Sequence, residues 1–273
     1  MDRYAVFGNP IHQSKSPRIH RWFAEATGQV LEYKAQKVEL GQFKQTALTF
    51  FEFGGLGLNI TAPFKLDAFE FADSLTERAR RAGAVNTLAR QPNGKILGDN
   101  TDGYGLVTDI RDNLHWPISA QRILILGAGG AVRGVLSPIF SERPAEIVIA
   151  NRTSSKAESL ANAFADLGQI SATGYEQFRS YDQPFDLVIN GTSLSLSGEL
   201  PPIPEEILSE KTVVYDMVYG NEPTAFMSWA DSLGCKVSDG LGMLVGQAAE
   251  SFFLWRGVHP PVMDLIRLLR VDP

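Results

Sequence analysis

A single cysteine, Cys235, excludes an internal disulfide, and four histidines scattered along 273 residues form no cluster at metal-ligand spacing. No metal is therefore expected. The first residues, MDRYAVFG, lack the cationic flank and long apolar core of a secretory leader, and no apolar run approaches membrane-spanning length. A reducing, cytoplasmic compartment follows as the expectation. Basic charge is also short: 25 Lys and Arg against 31 Asp and Glu leave a net charge of -6, which argues against nucleic acid or an anionic membrane as a main partner. Internal repeats, low-complexity tracts and a compositional linker are absent as well. What remains is a chain 44% hydrophobic and 21% charged, the balance of a globular protein, and long enough for two domains with a core each.

The organising stretch runs from Arg122 to Gly134, RILILGAGGAVRG, and reads as strand, tight turn and helix. Ile123 to Leu126 form a continuous apolar run, as expected of a parallel strand buried on both faces. Gly127, Gly129 and Gly130 let backbone N–H groups approach a ligand, and the helix that follows points its positive dipole end at the same place. A pyrophosphate suits such a site, although Val132 stands where the dinucleotide fingerprint carries a third glycine. The next strand, Glu146 to Ala150, ends about 20 residues on, where an NAD site carries an acid. Asn151, Arg152 and Thr153 stand there instead, with Lys156 one turn later. Two cations at that place favour the 2′-phosphate of NADP. Strand and helix then alternate, through a helix expected over Ser154 to Leu167, a strand at Phe185 to Ile189, and Lys236 to Ser238, which predicts a doubly wound parallel sheet. Ligands in such sheets bind at the carboxyl ends of the strands, so Thr192, Met217 and Tyr219 should border the crevice.

The N-terminal part opens with a strand at Tyr4 to Gly8 and a polar loop. Ser16 followed by Pro17 reads as an N-cap and first helical residue, and Ser14 beside it adds a second hydroxyl for a carboxylate. Further on, NITAPFK ends a strand, with Pro63 priming a helix that has Lys65 in its first turn. A cation at the positive end of a helix holds its ammonium form less firmly, which suits proton transfer; a solvated surface lysine is the plain alternative. Ser74 and Glu77 form a capping box, and Pro92-Asn93-Gly94 a hairpin turn. In the stretch GDNTDG, Asp102 reads either as a first-turn residue of a helix or as the anion that holds a lysine in place. Thr101 and Gly103 cannot supply the carboxylates of a calcium loop. The apolar segment SFFLW, with Phe252, Phe253 and Trp255, reads as core.

Taken in order, GNPI with SKSP, NITAPFK, AGAVNT, GDNTDG, ILGAGGA, NRT, YDMVY and DGLGMLVGQA make the chain similar over nearly its whole length to the shikimate dehydrogenase family of aromatic amino-acid biosynthesis. The resemblance implies a mixed-sheet α/β substrate domain over 1–101, a Rossmann-type NADP-binding domain over 102–239, and C-terminal helices over 240–273 that pack back on the first domain. It implies Lys65 and Asp102 as the catalytic pair. Ser14, Ser16 and Tyr219 would hold the substrate carboxylate, and Asn59, Thr61, Asn86 and Gln247, with Asp102, the ring hydroxyls. Gly127, Gly129, Gly130 and Ala131 would line the pyrophosphate. Asn151, Arg152, Thr153 and Lys156 would take the adenosine ribose phosphate, and Thr192, Met217 and Gly240 would complete the cofactor site. The implied reaction is reversible reduction of 3-dehydroshikimate by NADPH. Departures are Gln13 where many members have histidine, Gly191 for alanine, and Lys156 for arginine, which keeps the charge and loses the bidentate fork. An oxidative quinate/shikimate dehydrogenase and a non-catalytic NADP sensor stand as rivals, and monomer and homodimer both stay open.

Overall fold

The computed structural model describes residues 1–181 and 183–271, the side chains of Arg179 and Ser180 excepted, so the last two residues of the segment expected over 240–273 lie outside it. Two units share the chain: Met1–Gly105 with the stretch from Val245 onward, and Leu106–Leu244.

The first unit contains β1 (Asp2–Gly8), α1 (Ser16–Thr27), β2 (Leu31–Lys37), α2 (Phe43–Glu52), β3 (Gly55–Ile60), α3 (Lys65–Phe71), β4 (Ser74–Leu75), α4 (Glu77–Ala82), β5 (Thr87–Arg90) and β6 (Ile96–Asp99). Its sheet has the order β2-β1-β3-β5-β6-β4. The pairs of β1 are parallel, whereas β5 runs antiparallel to both β3 and β6, so the sheet is mixed as expected. Phe7, Phe43, Phe51, Leu58 and Phe64 pack one buried cluster. Elsewhere in the unit Tyr4 stacks on Trp255, their centroids 4.8 Å apart, and the Trp255 indole donates to the Leu88 carbonyl at 3.0 Å. That approach needs Gly57, because a Cβ there would lie 2.3 Å from the Trp255 nitrogen.

Helix starts differ from expectation in two places, for local reasons. Ser16 is the first residue of α1 rather than its cap, and Lys15 holds the cap position without a side-chain bond. Pro17 brings no N–H to satisfy, and the Ser14 hydroxyl accepts the Ser16 N–H at 3.3 Å, so the capping oxygen lies one step upstream. Similarly, Ser74 is taken into β4, paired with Leu97, and Thr76 caps α4 by accepting from Ala79 at 3.2 Å. Glu77 then stands at the first position of the helix, too early to close a capping box.

The second unit contains β7 (Arg122–Leu126), α6 (Gly130–Ser141), β8 (Glu146–Asn151), α7 (Ser154–Phe164), β9 (Ile170–Gly174), β10 (Leu187–Asn190), β11 (Val213–Asp216), α8 (Ala225–Ser232) and β12 (Lys236–Ser238). All pairs are parallel, in the order β12-β11-β10-β7-β8-β9, and Ile123 to Leu126 are wholly buried, as the continuous apolar run predicts. The order reverses between β7 and β10, which makes the carboxyl ends of those strands the topological switch point. α7 ends at Phe164, short of the expected Leu167, and β9 went unread because its small polar residues at a sheet edge carry no apolar run. Helices α5 (Asp102–Thr108) and α9 (Leu241–Arg256) belong partly to each unit, and α10 (Met263–Val271) to the first. On α9, Phe252 is core as expected; Phe253 is not, being 37% exposed and stacked on His259. No helix among the described residues is long and apolar enough to cross a membrane.

His20 is enclosed by aromatic rings in the first unit, stacked 4.1 Å from Tyr33 and edge-on to Phe23. In the tautomer with its proton on Nε2 it donates to Asn59 Oδ1 at 3.1 Å, and Nδ1 has no partner among the described residues. Burial pulls its pKa down to about 3. The unfolded chain therefore binds a proton here below the ordinary value of 6.5 while the folded chain does not. The stabilisation is complete above that value and falls, by about 1.4 kcal/mol per pH unit at most, as the pH drops toward the folded pKa. Denaturant titrations at pH 7, 6 and 5 check this: His20→Gln should flatten the loss of stability with acid, and equal slopes in both proteins would contradict it.

Candidate functional site

The site in the first unit starts at two helix ends. β3 finishes at Ile60, the Thr61 N–H bonds the Phe7 carbonyl at 2.9 Å, and Phe64 is buried, which delivers Lys65 as the first residue of α3. Asp102 is the first residue of α5, its own N–H held by Asn100 Oδ1 at 3.2 Å. Lys65 Nζ donates to Asp102 Oδ2 at 2.5 Å, with the lysine side chain 34% exposed and the aspartate 15%. The carboxylate compensates a cation placed at the wrong end of a helix dipole, while its own place at a helix start is favourable. Its second oxygen, Oδ1, accepts from Asn86 Nδ2 at 2.8 Å. The pair thus has a fixed geometry and a lysine that solvent reaches.

Behind it lies a buried polar network. Asn86 Oδ1 accepts from the Thr101 N–H and the Thr87 hydroxyl, each at 2.9 Å, which settles the orientation of the amide toward Asp102. Gln247 Oε1, from α9, lies 3.4 Å from the same Asn86 nitrogen. The Ser251 hydroxyl, one turn along α9, is within 2.7 Å of Thr87 and 3.2 Å of Thr101 and accepts from Asn59 Nδ2 at 2.9 Å. Asn59 Oδ1 in turn accepts from the Tyr33 hydroxyl at 2.7 Å, and Tyr33 is also hydrogen-bonded to Ser16. Burial, only partly offset by that bond to Ser16, pushes the Tyr33 phenol well up, so it is neutral and donates. A continuous path of hydrogen bonds therefore links Ser16 to Asp102 and Lys65. The loop that carries Asp102 is anchored by Asp99, whose carboxylate takes both ends of the Arg78 guanidinium at 2.7 and 2.5 Å. Arg78 also reaches Glu250 at 2.8 Å. Burial would raise the Asp99 pKa, but Arg78 and the Thr76 hydroxyl hold it below its ordinary value.

Of the residues expected from sequence, Lys65, Asp102, Asn86, Gln247, Asn59 and Ser16 are joined in this network, with Ser14 attached through Ser16. Asn59 is 6% exposed and both ends of its amide are taken. Thr61 is half-buried, its methyl packed against Gly8, where a Cβ would come within 2.4 Å. Tyr33, Thr87, Thr101 and Ser251 were missed. Ser251 had a signal, a hydroxyl four residues after Gln247 and so on the same helix face, inside an otherwise apolar segment.

In the second unit, Gly127 adopts φ +105°, and its N–H bonds the Ala150 carbonyl at 2.7 Å. Gly129, Gly130 and Ala131 are exposed at the start of α6, which has no side-chain cap, and nothing lies within 4 Å of where a Cβ on either glycine would be. Open space in front of uncapped N–H groups fits an anionic pyrophosphate. Asn151 Nδ2 donates to the Thr153 carbonyl at 2.9 Å, shaping the turn after β8. Arg152 and Lys156 are exposed there, and among the described residues neither has a carboxylate within ion-pair distance. Thr192 donates its hydroxyl to Asn190 at 2.8 Å, the Met217 N–H bonds the Asn190 carbonyl at 2.9 Å, and Gly240 lies so close to Met217 that a Cβ would sit 2.3 Å from its carbonyl oxygen. These cofactor candidates therefore line the carboxyl ends of the strands. Tyr219 belongs to this unit as well, 36% exposed, its phenol raised by burial and by Asp239.

Three family models match successive parts of the chain. A model of the shikimate dehydrogenase substrate binding domain matches residues 6–88, one of shikimate/quinate 5-dehydrogenase matches 110–197, and one of the shikimate 5′-dehydrogenase C-terminal domain matches 240–267. The shikimate dehydrogenase (NADP(+)) of Cellvibrio japonicus is 58% identical over 98% of this chain and 97% of its own. That of Saccharophagus degradans is 55% identical over 99% of both. Among solved structures, shikimate 5-dehydrogenase from Thermus thermophilus, in complex with NADP(H) and shikimate, superposes with a TM-score of 0.88 at 31% identity over 100% of both chains. An Ael1 enzyme from Pseudomonas putida gives 0.94 at 46% over 98% of both. The chain belongs to the shikimate dehydrogenase family.

Proposed function

We propose that this protein is an NADP-dependent shikimate dehydrogenase of aromatic amino-acid biosynthesis, reducing 3-dehydroshikimate reversibly to shikimate. The observation that carries the reading is the Lys65–Asp102 pair, whose carboxylate is fixed from behind by Asn86 and whose ammonium is open to a ligand. The full-length relatives with that name support it. The first unit takes the substrate and the second the cofactor; by residue number the proposed division is 1–101, 102–239 and 240–273. A free, buried cysteine and the absence of a membrane-crossing helix among the described residues are consistent with a cytoplasmic location.

NADPH, when bound, supplies the hydride that adds to the ring carbonyl carbon. As the C=O π pair moves onto oxygen, Lys65 Nζ offers a positive charge and a proton to that oxygen, and the lysine is reprotonated from solvent. Asp102 keeps Nζ in place through Oδ2 and accepts a hydrogen bond from a substrate hydroxyl. Gln247 presents its amide to a neighbouring hydroxyl, Asn86 and Asn59 hold the network that fixes Asp102, and Thr61 follows directly on β3. Ser14 and Ser16 hold the carboxylate. The N–H groups around Gly127, Gly129, Gly130 and Ala131 hold the pyrophosphate, and Asn151, Arg152, Thr153 and Lys156 the 2′-phosphate. Met217 and Gly240 border the nicotinamide, and Thr192 the cofactor crevice beside them.

Lys65→Ala should lower kcat by roughly 10² to 10⁴ with NADP affinity retained, measured by steady-state rates and cofactor titration. Near-normal turnover would remove Lys65 from the proton transfer. Arg152→Ala should weaken NADP by about 10- to 100-fold and leave NAD nearly unaffected, the effect of a charge-assisted bond to phosphate. Equal losses for both cofactors would overturn its role.

A further inference from the structure

Two departures from pattern, Val132 in place of a glycine and Gly191 in place of an alanine, touch each other in the second unit. Val132 is wholly buried in the first turn of α6, and a Cβ on Gly191 would lie 2.4 Å from its Cγ2. The same Cβ would lie 3.2 Å from Met217 Sδ and 3.4 Å from the Leu126 carbonyl oxygen. Neither partner can yield. A valine in a helix is held to essentially one χ1 rotamer, and the Gly191 N–H is pinned to the Leu126 carbonyl at 2.9 Å. On its other side, the Gly191 carbonyl oxygen lies 3.2 Å from where a Cβ on Gly127 would be, with the Thr192 methyl at 3.3 Å. Gly191 is therefore wedged among Val132, Gly127, Thr192 and Met217, three of which are cofactor candidates.

We propose that Val132 and Gly191 are a matched positioning pair for the dinucleotide: the valine fills the volume that a side chain at 191 would need, and the fit fixes Gly127, Thr192 and Met217 beneath the cofactor. The pair acts through those residues and need not touch the ligand. This rests on the reading of the second unit as an NADP site.

The test is a cycle of Gly191→Ala, Val132→Ala and the double variant, read by the Kd of NADP from direct titration, the Tm of the ligand-free protein, and KM for shikimate. Gly191→Ala should raise the NADP Kd by about tenfold or more, with KM for shikimate within about twofold. The double variant, in which the smaller alanine at 132 makes room, should return to within about threefold of wild type. A purely structural role would lower Tm without the selective change in Kd and would overturn the proposal. So would a double variant no better than Gly191→Ala. If Gly191→Ala does not fold, the double variant decides: folded with near-normal Kd it supports the pair, and unfolded it overturns it. A wild-type protein that fails to bind NADP at all would instead overturn the cofactor reading itself.

Discussion

The ion pair between Lys65 and Asp102 is the constraint on which the first unit depends. An ammonium at the start of α3 is in an unfavourable field, and a carboxylate 2.5 Å away removes that penalty only if it cannot drift. Asn86 holds the second oxygen, and Asn86 is itself oriented by Thr101 and Thr87. The network must be satisfied throughout, because a buried amide with one free end would lose about 1–3 kcal/mol and could flip. Ser251 and Asn59 complete it, and Asp99 with Arg78 fixes the loop from the other side. Lys65 thereby combines a fixed position with access to solvent, a combination that suits a proton donor.

The second unit works by a different means. At the glycine turn it offers backbone. The start of α6 is uncapped and unobstructed, and the turns after β7, β10, β11 and β12 pack so closely that Gly191 and Gly240 leave no room for a side chain. Positive charge stands at the rim, where Arg152 and Lys156 are exposed. Affinity for a phosphate there is open to screening by salt, whereas the geometry of the glycine turn is not.

Much of this was legible in the sequence because the signals were local. A continuous apolar run followed by glycines gave β7 and α6, and Pro63 set the start that places Lys65. Asn93-Gly94 gave the hairpin of β5 and β6. What escaped was set by contacts distant in the chain. Asn59 and Ser251 are separated by 192 residues, so no window of sequence shows that a serine in SFFLW completes the network behind Asp102. The cap of α4 fell to Thr76 because Ser74 was claimed by pairing with β6, a tertiary choice that overrides the capping pattern. Phe253 has the apolar character of its neighbours, yet the helix turns it outward onto His259. Tyr33 lies in β2, and only the fold brings its hydroxyl to Asn59.

The most direct test of the account is the initial rate followed by reduced-nicotinamide absorbance, with shikimate and quinate each crossed with NADP and NAD. The highest kcat/KM should fall on shikimate with NADP, because the first unit presents a lysine–aspartate pair and the second exposes Arg152 and Lys156 after β8. A preference for quinate with NAD, or no turnover in any combination, would contradict it.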